Sequence, residues 1–149
     1  MNKLGLTLMA TVTLATAAWA DEATWITDLA KAQALAKQEK KMVLIDFTGS
    51  DWCPPCQLLH KNVLTNKEFV DYAKTNLVLV LVDYRMRNPL PPEQEKANEA
   101  LRQKFKVGAY PTVVVLDPTG KQLSFEEGYM GTSGAKEFVA NLQKLKKKS

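Results

Sequence analysis

Hydrophobic and polar positions along the chain divide it into alternating helical and extended segments. Trp25, Ile26, Leu29, Ala32, Leu35 and Ala36 recur at helical spacing, which predicts a helix over Trp25–Lys40. Met42–Thr48 (MVLIDFT) is a short apolar, β-branched run and predicts a buried strand. A loop over Gly49–Trp52 leads to a helix that starts at Cys53 and runs through Leu59 towards Val63. Thr65 or Asn66 caps a further helical stretch, TNKEFVDYAKTN. Leu77–Tyr84 (LVLVLVDY) is almost wholly apolar, as expected of a strand covered on both faces.

The second half continues the alternation. Arg85–Pro92 is a proline-rich loop. Ala97, Ala100, Leu101 and Phe105 mark a helix over Glu93–Lys106. Thr112–Asp117 is a third strand, and Asp117–Gly120 (DPTG) has proline at the second position of a type I turn. KQLSFEEG is a fourth strand, with Leu123 and Phe125 alternating with polar residues. Thr132–Lys147 closes the chain as a helix with Phe138, Val139, Leu142 and Leu145 inward. The short turn pairs the last two strands antiparallel, and helices between the earlier strands predict parallel pairing.

The N-terminal pattern differs. MNKLGLTLMATVTLATAAWA has Lys3, an apolar run from Leu4 to about Leu14, and a small-x-small ending at Ala18-Trp19-Ala20. This predicts a signal peptide over residues 1–20, a mature start at Asp21 and export to the periplasm or beyond. The competing reading is an uncut membrane anchor, but the run is short for a span and the segment is diluted by four threonines, Thr7, Thr11, Thr13 and Thr16. Residues 21–149 then form one domain. Loss of Lys3 lowers the formal charge from +4 to +3, too little to argue for nucleic acid. The KLKKKS tail reads as a solvated helix end whose cations suit the dipole.

The candidate chemistry lies in GSDWCPPCQLL, which holds both cysteines of the chain, Cys53 and Cys56. An exported protein favours disulfides. A bridge over two residues closes too small a loop to be an effective staple. A redox pair is therefore preferred over a structural one. Zinc would want four nitrogen or sulfur ligands, and His60, two helical turns or about 10 Å from Cys53, is too remote to share them. It is read as an exposed helix residue.

A helix starting at Cys53 explains Pro54 and Pro55, since the first turn has no internal acceptors for its amides and tolerates proline. Cys53 at the positive helix end is the attacking thiolate, and Cys56, one turn in and expected to be more covered, is the resolving thiol. Each proline removes an N–H that would otherwise face the Cys53 sulfur, leaving the amides of Cys56 and Gln57. The expectation is a moderately acidic thiol and a pair that donates electrons.

VLIDFTGSDWCPPCQ resembles the strand, loop and active-site helix of the thioredoxin-like family, and VGAYPTVVVLDPTG resembles that family's cis-proline landmark. The similarity spans about Trp25–Leu145. It is strongest to the short exported bacterial members and to the periplasmic C-terminal domain of the transmembrane thiol-disulfide interchange reductase. It implies an α/β fold with a four-stranded mixed sheet between helices and an extra N-terminal helix. It also implies roles: Trp52 shields the pair, Tyr110-Pro111 is a cis peptide whose Tyr110 backbone meets the partner chain, Gly128 lets that chain approach, and Asp46 is the buried acid serving Cys56 through water, its pKa raised by burial. Two departures bear on Asp46. The loop to Cys53 is one residue longer than in ordinary thioredoxins, and the position where the family often has a lysine reads as Leu79.

Taken together, the expected protein is an exported thiol-disulfide oxidoreductase, a reductase of disulfide-bearing envelope proteins. It uses no cofactor, and nothing demands more than a monomer. Lacking a spare dithiol, it needs an external electron donor, expected to be a membrane thiol-disulfide reductase. An oxidase or isomerase with the same residues, a non-catalytic binding or chaperone-like module, and a metal handler are the alternatives. Arg85 and Arg87 read as solvated charges that could instead meet an acidic partner; their long loop is where partner specificity is expected.

Overall fold

The computed structural model describes residues 23–148. The signal peptide expected over residues 1–20 lies outside them. In chain order the elements are β1 (Trp25–Ile26), α1 (Leu29–Glu39), β2 (Met42–Thr48), α2 (Pro54–Leu59), a π-helical turn (His60–Leu64), α3 (Lys67–Asn76), β3 (Leu77–Asp83), α4 (Pro92–Phe105), β4 (Thr112–Leu116), β5 (Gln122–Glu127) and α5 (Ala135–Lys146). The strands form one mixed sheet in the order β1-β3-β2-β4-β5. This is the expected α/β thioredoxin-like architecture with one strand more than expected.

The extra strand corrects the first predicted helix. Trp25 and Ile26 pair parallel with Leu79 and Val80 on the outer edge of β3. The helix starts later because Asp28 caps it, its carboxylate accepting from Lys31 N–H at 3.0 Å. An open edge offers unpaired backbone groups, and two apolar residues use it before the cap. Asn66 caps α3 as expected, accepting from Glu68 N–H.

β2 runs parallel to β3 and antiparallel to β4, and β4 runs antiparallel to β5. Helix α4 thus does not produce a parallel pair. β4 lies beyond β2 rather than beside β3, and it begins where β2 ends, with Thr112 opposite Phe47.

All seven β2 residues are buried, and their alternation divides the core in two. Met42 and Leu44 join Leu59, Val63, Phe69 and Val139 beneath α2, α3 and α5. Val43, Ile45 and Phe47 join Leu29, Ala32, Val80 and Val114 under α1. Asp46 therefore takes an apolar position on the face that carries α2. A charge there is costly unless neutralised or partnered.

Asn98 of α4 is buried and fastens this helix to the sheet: its Nδ2 donates to the Asp83 carbonyl at 2.8 Å and its Oδ1 accepts from Gln94 at 2.9 Å. Asn98→Ala leaves both groups short of a partner and should lower stability by about 1–3 kcal/mol. The urea midpoint should fall with an unchanged slope; an unmoved midpoint would show that the tie contributes nothing.

Candidate active site

The site is built where β2 and β3 end and β4 begins. After Thr48 the chain turns sharply: the N–H groups of Trp52 and Cys53 both donate to the Gly49 carbonyl, at 3.3 and 2.9 Å. The Trp52 indole lies flat against Gly49, leaving no room for a Cβ there. Its Nε1–H donates to the Tyr84 carbonyl at 2.6 Å, and its ring stands edge-on to Tyr110, with centroids 5.9 Å apart.

Cys53 is the N-cap of α2, and Pro54 and Pro55 are its first two, exposed, residues. Cys53 and Cys56 are joined in a disulfide with their Cα atoms 5.3 Å apart. Two expectations need correcting. Both cysteines are equally covered, each 3% exposed, so burial does not tell attacker from resolver. And of the two amides left by the prolines, only Cys56 N–H reaches the Cys53 sulfur, at 3.4 Å; Gln57 N–H closes the helix on the Cys53 carbonyl at 3.1 Å.

The Tyr110–Pro111 peptide is cis. The Pro111 carbonyl accepts from Gly128 N–H at 2.7 Å, and Gly128 has a φ of +79°, a conformation that suits glycine. Tyr110 also stacks obliquely on Tyr84, whose hydroxyl donates to the Asn98 carbonyl at 2.7 Å. Burial pushes both phenols above their usual range.

Asp46 and Cys56 line one cavity of about 340 Å3, whose walls include Thr48, Gln57, His60, Leu81, Asp83 and Arg85. Asp46 is 3% exposed, and its Oδ1 has no hydrogen-bond partner among the described residues. Burial, then the nearby Asp83 charge, raises its pKa from 3.8 to about 7. Its neighbour on β3 is Leu81, not Leu79. A leucine therefore occupies the flank where the family often has a cation, and an acid follows two residues later on the same face. His60, exposed as expected, borders the cavity mouth.

Asp83 was not singled out from the sequence, although it ends an apolar strand much as Asp46 nearly ends another. It is buried and accepts from Ser50 N–H at 2.9 Å, Ser50 Oγ–H at 2.7 Å and Arg85 Nε–H at 2.7 Å. Asp51 and Ser50 also had no sequence signal beyond lying beside the cysteines. This assembly is suited to thiol-disulfide exchange: a cysteine pair at a helix start, a carboxyl in the adjoining cavity with its pKa raised to about 7, and exposed prolines between the cysteines.

The family model described as thioredoxin-like domain matches residues 29–146. The chain belongs to the thioredoxin-like family. It is 38% identical over 102 residues to the disulfide bond reductase DsbH of Chlamydia pneumoniae, a match covering 66% of this chain and 61% of that protein. It is 30% identical over 103 residues to the thioredoxin-related protein DsbJ of the same organism, covering 69% of this chain and 30% of that one. The chain thus spans less than two thirds of these relatives' length. A solved structure of a DsbH oxidoreductase superimposes with a TM-score of 0.77 at 31% identity, over 97% of this chain and 95% of that chain.

The Asp46 environment sets a pH dependence of stability. Its pKa is 3.8 unfolded and about 7 folded, so the native state holds a proton that the unfolded chain releases between those values. Stability from this group is therefore lost as pH rises from roughly 4 to 7. Asp46→Asn should stabilise the oxidised protein far more at pH 8 than at pH 4, by on the order of 4 kcal/mol. Paired urea titrations at the two pH values measure this, and an equal gap at both would refute the assignment.

Proposed function

We propose that this protein is a thiol-disulfide oxidoreductase acting as an exported protein-disulfide reductase. Its substrates would be disulfide-bearing envelope proteins. The observation that carries the direction is the sparse stabilisation of the Cys53 sulfur. One amide at 3.4 Å faces it, and two prolines withhold others. A thiolate held so lightly makes the reduced pair a better electron donor. The DsbH relative, a disulfide bond reductase, supports the same direction.

In this reading the Cys53 thiolate attacks one substrate sulfur, forms a mixed disulfide and expels the other substrate sulfur as a thiolate. Cys56, giving its proton towards Asp46 by way of the shared cavity, then attacks Cys53. The Cys53–Cys56 bond forms and the second substrate thiolate leaves, so two electrons pass from the protein to the substrate. Trp52, Pro54, Pro55, Tyr110, Pro111 and Gly128 form the surface the substrate chain meets. A membrane thiol-disulfide reductase would restore the dithiol, and the likeness to the periplasmic domain of the interchange reductase belongs to this same proposal.

Equilibration against glutathione tests the direction. The expected potential is nearer about −270 mV, as in thioredoxin, than about −120 mV, as in a strong oxidant, and a value above about −180 mV would sink the reductase reading. In stopped flow, Cys53→Ser should abolish reduction, and Cys56→Ser should accumulate a mixed disulfide. Asp46→Asn should flatten the rise in the resolving rate near pH 7, where the Asp46 carboxyl ionises.

A further inference from the structure

The segment Tyr84–Asn88 between β3 and α4 is tied to the cysteine loop at three places. The Asp51 carboxylate, two residues before Cys53, accepts from three successive backbone N–H groups: Met86 at 3.0 Å, Arg87 at 2.7 Å and Asn88 at 3.3 Å. Asp83 bridges Ser50 to Arg85. Trp52 donates to the Tyr84 carbonyl. Charge-assisted bonds of this kind are roughly twice as strong as neutral ones. The backbone bonds, led by that of Met86, hold the Asp51 carboxyl below its usual range, as a committed carboxylate requires.

The side chains on this fixed backbone are left open. Met86 is 70% exposed. Arg87 is exposed and makes no side-chain hydrogen bond or ion pair to any described residue. Arg85 is exposed and commits its Nε to Asp83. A lone exposed methionine is ordinary. Here it is an adaptable apolar side chain on a backbone that three carboxylate bonds hold beside the redox disulfide. Both local carboxylates already accept protein donors, so the charged groups left for a partner are guanidinium donors, which match carboxylates.

We propose that Arg85–Asn88 is a substrate-reading ledge that selects protein disulfides flanked by an apolar residue next to acidic side chains. The proposal rests on the reductase reading and names the substrate class of that same site. Asp51 is a positioning residue for the ledge.

The test uses pre-reduced full-length protein in single turnover on two peptides with one common disulfide. One peptide carries a leucine followed by two glutamates beside the disulfide, and the other has lysines in place of the glutamates. The acidic peptide should react about tenfold faster at low salt, with the preference fading as salt rises. Arg87→Glu should abolish or invert the preference. Asp51→Asn separates the ledge from simple long-range charge. Removing a negative charge would by itself strengthen the acidic preference, whereas release of the ledge weakens it. Equal rates for the two peptides, or a ratio unmoved by Arg87→Glu, overturn the proposal. If the wild-type protein fails to reduce hydroxyethyl disulfide, the reductase reading fails alone. The ledge is then judged by fluorescence anisotropy with serine-for-cysteine versions of both peptides. Tighter binding of the acidic one supports it, and equal affinities overturn it.

Discussion

The site depends on the register of β2 between β3 and β4. Side chains on a strand alternate between faces, so a slip of one residue moves every one of them to the other side of the sheet. In the observed register Asp46 stands opposite Leu81 on one flank and Val113 on the other. It faces α2 and the cavity bordered by Cys56. Slipped by one, Asp46 would enter the layer where Phe47 meets Phe105 edge-on, and Phe47 would take its place beside Cys56. Burial of Met42, Leu44, Val43, Ile45 and Phe47 opposes that slip from both faces. The two apolar layers that hold the fold together therefore also aim one carboxyl at one cysteine.

The same register explains what was legible in the sequence. MVLIDFT is an apolar strand with a single acid, and CPPC is a helix start with prolines in its first turn; both signals are local. The cis peptide at Tyr110-Pro111 was legible only through resemblance, because nothing in a lone X-Pro pair distinguishes its isomers. Trp25 and Ile26 misled because two apolar residues ahead of a helix fit its periodicity, while their actual partner, the β3 edge, is more than fifty residues away. The neighbour of Asp46 was misplaced by two positions, since pairing between strands separated by a helix leaves no trace in spacing. The Asp51 and Asp83 ties join residues more than thirty positions apart, and such contacts exist only once the fold has formed.

The charge around Asp46 reinforces the effect of its burial. A cation beside Asp46 would lower its pKa and oppose the effect of burial. Here Leu81 supplies no charge, and Asp83 adds a second carboxylate on the same face. Asp83 is held by Ser50 and Arg85. The two acids therefore differ in environment: Asp83 is anchored by protein donors, and Asp46, whose Oδ1 has no partner among the described residues, has its pKa raised to about 7.

That difference bears on electron flow. An oxidase gains from a strongly stabilised Cys53 thiolate, which makes the reduced form the favoured one. In this protein the stabilising groups are few around Cys53, while the carboxyl proposed to take the Cys56 proton lies in the cavity bordered by Cys56. Such an arrangement would assist the step in which Cys56 becomes a nucleophile and closes the disulfide. A base speeds closing and reopening of the disulfide alike, so Asp46 would set the rate of exchange and not its direction. In the proposed reductase the direction rests instead on the Cys53 sulfur, which the prolines leave with a single amide donor.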